Sequence, residues 1–108
     1  MVSGETTEIL RRYFARIIAE GIPAKGIVLY GSHAKGIEDP NSDIDVIVLL
    51  EDGLSGQEID DLWTRLEHLT IGIDTRIETW PVTVSRFKSD EVSPLIILAR
   101  REGIPIGA

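Results

Sequence analysis

Two short groups of residues, Gly31-Ser32 and Asp43-Ile44-Asp45, stand ten residues apart, and that pairing is where this sequence could do chemistry. Ile27 to Tyr30 is a short apolar run that reads as a strand buried on both faces. It enters a Gly-Ser turn. A polar stretch follows, closed by the turn-forming Asp39-Pro40-Asn41-Ser42, and then a second apolar run from Asp43 to Leu50. In a strand, residues i and i+2 share a face, so Asp43 and Asp45 converge on one place. Two close carboxylates repel unless a cation sits between them. Hard oxygen donors beside a small, flexible Gly-Ser loop point to a divalent metal holding a triphosphate.

The elements around these residues follow from periodicity and capping. Thr6 to Glu20 reads as an amphipathic helix, with Ile9, Leu10, Tyr13, Phe14, Ile17 and Ile18 at helical spacing and Gly21 at its end. Gly31 to Ser42 is expected to be a loop, with at most one helical turn. Ser55 and Glu58 form a capping box for a helix whose apolar face is Ile59, Leu62, Trp63, Leu66 and Leu69. Ile73 to Trp80 alternates, so it predicts a third strand ended by Pro81, with Asp74, Arg76 and Glu78 on one face. Thr83 to Ser89 is expected to be a turn or short helix. Ser93-Pro94 opens a helix to Glu102, and its Leu95-Ile96-Ile97-Leu98-Ala99 run is apolar nearly all round, as in a buried helix or one half-covered by a partner. The order α-β-loop-β-α-β-α predicts a small sheet carrying helices, of the α+β or mixed α/β class.

Composition narrows the functions available. At 108 residues the chain is expected to form a single domain over 1–108. Its formal charge of −7 argues against a generic nucleic-acid surface, which needs a basic stripe. There is no cysteine, so disulfide, thiol and Cys-zinc chemistry are excluded. No basic leader precedes an apolar segment, and no apolar run approaches the roughly 18 residues of a membrane span. A cytoplasmic protein is the expectation.

The apolar-Gly-Ser turn, the ten-residue interval and Asp43-Ile44-Asp45-Val46 resemble the signature of the polymerase-β-like nucleotidyltransferase superfamily. The wording Gly31-Ser32-His33-Ala34-Lys35-Gly36 with Ser42-Asp43-Ile44-Asp45 is similar to the minimal nucleotidyltransferase (MNT) proteins, which usually carry Arg where this chain has His33 and Lys35. The resemblance covers most of the chain and implies a palm-like sheet flanked by helices. It implies two Mg²⁺ ions held by Asp43, Asp45 and a third carboxylate from the next strand, with ATP as substrate. Asp74 matches that third position. Glu78 shares its face about 13 Å further along, leaving the choice between them open. Gly31, Ser32, Lys35 and Ser42 would lie at the nucleotide. In-line attack on the α-phosphorus would then expel pyrophosphate, with two metals stabilising the entering and leaving oxygens.

A chain of this length is expected to lack a second, substrate-holding domain, so the acceptor is expected to come from another chain or from self-association, giving a hetero- or homo-oligomer. In MNT proteins the resemblance implies an antitoxin that transfers AMP onto a tyrosine hydroxyl of a HEPN-type RNase toxin. The alternatives are a non-catalytic antitoxin or scaffold, and transfer to a small molecule such as an antibiotic. Of the remaining side chains, His33 reads as a solvated loop residue, His68 as surface, and Trp63 and Trp80 as packing residues.

Overall fold

A computed structural model describes residues 2–106. Helix α1 (Gly4–Ala19) leads into strand β1 (Ala24–Tyr30), and a single helical turn, α2 (Ser32–Lys35), opens the motif loop. Strand β2 (Ile44–Leu50), helix α3 (Gly56–His68) and strand β3 (Ile77–Thr83) follow. The chain then forms α4 (Val84–Ser89), α5 (Pro94–Glu102) and β4 (Ile104–Ile106). The four strands make one mixed sheet in the order β3-β2-β1-β4. β1 runs antiparallel to β2 and β4, whereas β2 and β3 are parallel, joined by the crossover through α3. The fold is the mixed α+β class expected.

Each sheet face has its own core. On one face, Leu10, Tyr13 and Ile17 of α1 and Leu62 and Leu66 of α3 pack on Ile27, Leu29, Ile44, Val46, Val48 and Leu50. On the other, Ile96 and Ala99 of α5 and Phe87 of α4 cover Val28, Tyr30, Ile47 and Val82. Burial on both faces explains why β1 and β2 read as unbroken apolar runs. Truncating a wholly buried Leu10 or Ile17 to Ala would cost about 2–5 kcal/mol. The helix ends follow their capping chemistry: the Ser55 hydroxyl accepts the Glu58 N–H at 3.1 Å, and the Glu58 carboxylate accepts the Ser55 N–H at 2.9 Å. Ser3, Thr83 and Ser93 cap α1, α4 and α5 in the same sense.

The third strand differs from its expectation at both ends. It begins at Ile77, not Ile73, so Asp74 lies in a turn. The N–H groups of Ile73 and Asp74 both bond the Thr70 carbonyl, and the Asp74 side chain accepts the Arg76 N–H two residues on. This local side-chain bonding competes with a ladder and prevails over the alternating pattern. At the other end, β3 continues through Pro81 to Thr83. β3 is an edge strand, and the Thr79 carbonyl points outward, where it accepts the Trp63 indole N–H at 2.9 Å. Pro81, two residues on, faces the same open side, where no ladder hydrogen bond requires its missing N–H. The C-terminal strand β4 carries no sequence-level signal; it has three residues, one of them Pro105.

Candidate active site

The site is built on one row across the sheet. Tyr30 of β1 stands opposite Asp45 of β2, and Asp45 stands opposite Glu78 of β3. Paired residues project to the same face, so these three side chains lie side by side at one end of the sheet. Asp43 precedes β2 and belongs to the same alternation. Burial pushes the Asp45 carboxyl above its usual range, and the nearby charges of Asp43 and Glu78 push it the same way, while His33 opposes them. The Tyr30 phenol is raised by burial first and then by Asp45 and Glu78. Negative charge is thus concentrated here on a half-covered surface.

Gly31 makes room for that charge. Its φ of 78° and ψ of −155° fall in a region open to glycine alone. A Cβ there would stand 2.6 Å from Asp45 Oδ2. The chain therefore leaves β1 with the Asp45 carboxylate lying directly against the Gly31 backbone.

The motif loop is pinned by a side chain that the sequence reading placed in solvent. His33 is only 2% exposed. Its Nδ1 lies 3.0 Å from Thr6 Oγ1 of α1, and its Nε2 lies 3.2 Å from the Ser42 carbonyl. The Ser42 carbonyl can only accept, so Nε2 donates to it, while Nδ1 faces the Thr6 hydroxyl and, at 3.6 Å, the Glu38 carboxylate. One imidazole thereby ties both ends of the loop to the first helix. Lys35 stands at the exposed end of α2, 3.9 Å from the Glu102 carboxylate. The Ser42 hydroxyl accepts the Asp39 N–H at 3.0 Å, and the Asp39 carboxylate accepts the Asn41 N–H at 2.8 Å, so Ser42 serves its own turn.

The two candidate third carboxylates are separated by their partners. Asp74 receives the Arg76 guanidinium through Nε at 3.0 Å and Nη2 at 2.7 Å, which holds its carboxyl below the usual range. Arg76 Nη1 also reaches the Pro40 carbonyl at 3.2 Å, linking this turn to the motif loop. Glu78 is exposed, faces Asp45 in register and makes no ion pair among the described residues. The structure thus brings Asp45 and Glu78 together on Asp43's face and gives Asp74 a cation already. No group of three or more potential ligands among the described residues is drawn in to metal-binding geometry. The oxygen-only donor set nevertheless fits a hard divalent cation, and mutual repulsion at Asp45 is what such a cation would relieve.

The sequence profile of the nucleotidyltransferase domain matches residues 11–99. The chain belongs to the nucleotidyltransferase domain family. The match spans both motif groups and β3, so the Gly31 turn and the carboxylate row lie inside the family domain. Two solved structures share its fold. A Sulfolobus solfataricus protein assigned as a nucleotidyltransferase superposes with a TM-score of 0.65 at 13% identity, covering 93% of this chain and 78% of its own. A toxin–antitoxin structure with AMP-PNP superposes with a TM-score of 0.56 at 21% identity, covering 88% of this chain and 70% of its own. No curated protein matches the sequence significantly.

Among the described residues, no helix is long and apolar enough to cross a membrane. Two aromatic side chains expected to be packing residues are more exposed than that. Trp80 is 40% exposed, and its ring centroid lies 5.0 Å from that of the half-buried Trp63. His68 is on the surface, as expected.

Proposed function

We propose that this nucleotidyltransferase domain transfers AMP from ATP onto a hydroxyl of a partner protein, with Asp43, Asp45 and Glu78 as its acidic centre. The observation that carries the reading is the Asp45–Glu78 row with the Asp45 carboxylate seated against Gly31. Asp43 and Asp45 would hold Mg²⁺ at the triphosphate, and Glu78 would complete the set from the neighbouring strand. When bound, such ions supply charge neutralisation and polarisation at the α-phosphate. The residues do the rest. The Gly31 backbone and Ser32 hydroxyl bind the phosphate end, and the pinned motif loop keeps them in place. A free Glu78 oxygen takes the proton of the acceptor hydroxyl. The oxygen–phosphorus bond to the acceptor forms as the α–β bridging bond breaks, and pyrophosphate leaves.

The partner is proposed to be a HEPN-type RNase toxin, with this chain its antitoxin. Support comes from the family resemblance and from the likeness to a toxin–antitoxin structure with AMP-PNP. The decisive comparison is α-labelled against γ-labelled ATP, offered with Mg²⁺ and a lysate of the host. Label on one protein band from α-labelled ATP alone supports nucleotidyl transfer. Label from γ-labelled ATP would mean phosphoryl transfer, and label from neither would leave a partner-binding module.

A further inference from the structure

A trough made of an apolar groove and an adjoining polar cleft runs along the β3 edge of the sheet. A groove of about 640 Å³ is floored by Trp63, Trp80, Pro81, Val82, Leu95 and Ile96, with Asp60 and Arg86 at its rim. Trp63 and Trp80 are also shared with a second cleft of about 270 Å³, which is lined by Glu67 and ends at Glu78. The trough therefore reaches Glu78, the outermost residue of the carboxylate row. Its walls carry unbalanced charge. Asp60, Trp63 and Glu67 fall at i, i+3 and i+7 on α3, one face of the helix. Neither carboxylate has an ion pair among the described residues, and nor does Glu78, whereas Arg86 is already paired with Asp90 at 3.1 Å.

The direction of the chemistry matches this placement. On the proposed function, which this inference rests on, the triphosphate lies on the Gly31 side of Asp45. In-line displacement requires the attacking oxygen to arrive from the side opposite the leaving pyrophosphate. In the row Tyr30–Asp45–Glu78 that side is β3, where the trough begins. We propose that the trough is the acceptor-docking surface, and that it takes an apolar segment of the acceptor protein bearing basic side chains. The tryptophan floor fits the apolar side chains, and Asp60 and Glu67 fit the basic ones. The segment's hydroxyl is thereby delivered to Glu78.

The chain's two tryptophans both lie in this trough, so tryptophan fluorescence reports its occupancy without ATP or turnover. The probe is a short peptide alternating Lys and Leu, compared with its counterpart carrying Glu for Lys. Saturable fluorescence change with the Lys peptide is expected, at about tenfold higher affinity than with the Glu peptide. Asp60→Lys/Glu67→Lys is expected to reverse that preference. Glu8→Lys/Glu20→Lys, an equal charge change at exposed positions in α1 and at its C-terminal cap, is expected to keep it. No saturable change, equal affinities for the two peptides, or the same reversal in the α1 variant would overturn the proposal. Asp43→Asn/Asp45→Asn is expected to bind the Lys peptide as the natural chain does. In the natural chain, docking without transfer would refute the chemistry alone, and transfer without docking would refute the trough alone.

Discussion

Replacing Gly31 by Ala tests the link between backbone and carboxylate on which the site depends. Two costs follow from the structure. The φ/ψ pair at Gly31 is one that a side chain adopts only at about 1–3 kcal/mol. The new Cβ also meets Asp45 Oδ2 at 2.6 Å, so the carboxylate must retreat by about 0.8 Å to regain ordinary contact. That retreat is into a face already crowded by Asp43 and Glu78. The combined loss is about 2–4 kcal/mol, a large part of the roughly 5–15 kcal/mol that stabilises a small domain. At about 4 °C per kcal/mol, Tm should fall by about 8–16 °C. Gly21→Ala is the control, since Gly21 has a φ of 75° but nothing within 4 Å of an added Cβ. It should cost only the backbone part, about 1–2 kcal/mol. Urea unfolding of both variants, followed by circular dichroism, gives the comparison. Equal losses in the two, or a Gly31→Ala loss under about 0.5 kcal/mol, would show that Asp45 does not lie against Gly31.

Other consequences are as accessible. His33→Ala leaves the Thr6 hydroxyl and Ser42 carbonyl without their shared partner and should cost about 1–3 kcal/mol, with faster hydrogen exchange confined to the motif loop and the start of α1. The two tyrosines are both buried; Tyr13 is pushed up to about 12 by burial and Tyr30 higher still. The unfolded chain ionises near pH 10, so stability should fall as pH rises above that, and between pH 10 and about 12 tyrosinate absorbance should accompany unfolding. Arg76 holds the Asp74 carboxyl low, so the ion pair stabilises above pH ~4 and fades as pH drops through the lowered pKa. Asp74→Asn should remove that acid-side loss, seen as a flatter Tm profile below pH ~4.

Much of the fold was legible because local and long-range signals agreed. β1 and β2 are apolar on both faces, and the Ser55–Glu58 box marks the start of α3 without tertiary help. The Gly31 turn and Asp43-Ile44-Asp45 were legible for the same reason, since each is local chemistry at fixed spacing. The different placements of Asp74 and Glu78 were not. Ile73 to Ile77 alternates like a strand, but the Asp74 side chain bonds its own backbone and Arg76, and only the β2–β3 register sets Glu78 opposite Asp45. His33 was misread because a histidine in a polar loop carries no mark of burial; its partners Thr6 and Ser42 are 27 and 9 residues away. Pro81 misled because proline ends a strand only where its N–H is needed, and edge position is a property of the sheet.

The most direct test of the central claim is transfer of label from α-labelled ATP, with Mg²⁺ and a host lysate, by the natural chain and three variants. The natural chain and Asp74→Asn are predicted to label the same band at comparable rates. Asp43→Asn/Asp45→Asn and Glu78→Gln are predicted to lose about 10²-fold or more, the scale seen when a group that stabilises transition-state charge is removed. Transfer that survives Glu78→Gln but disappears with Asp74→Asn would contradict the account, because the acidic centre would then lie at the turn and not on the row across the sheet.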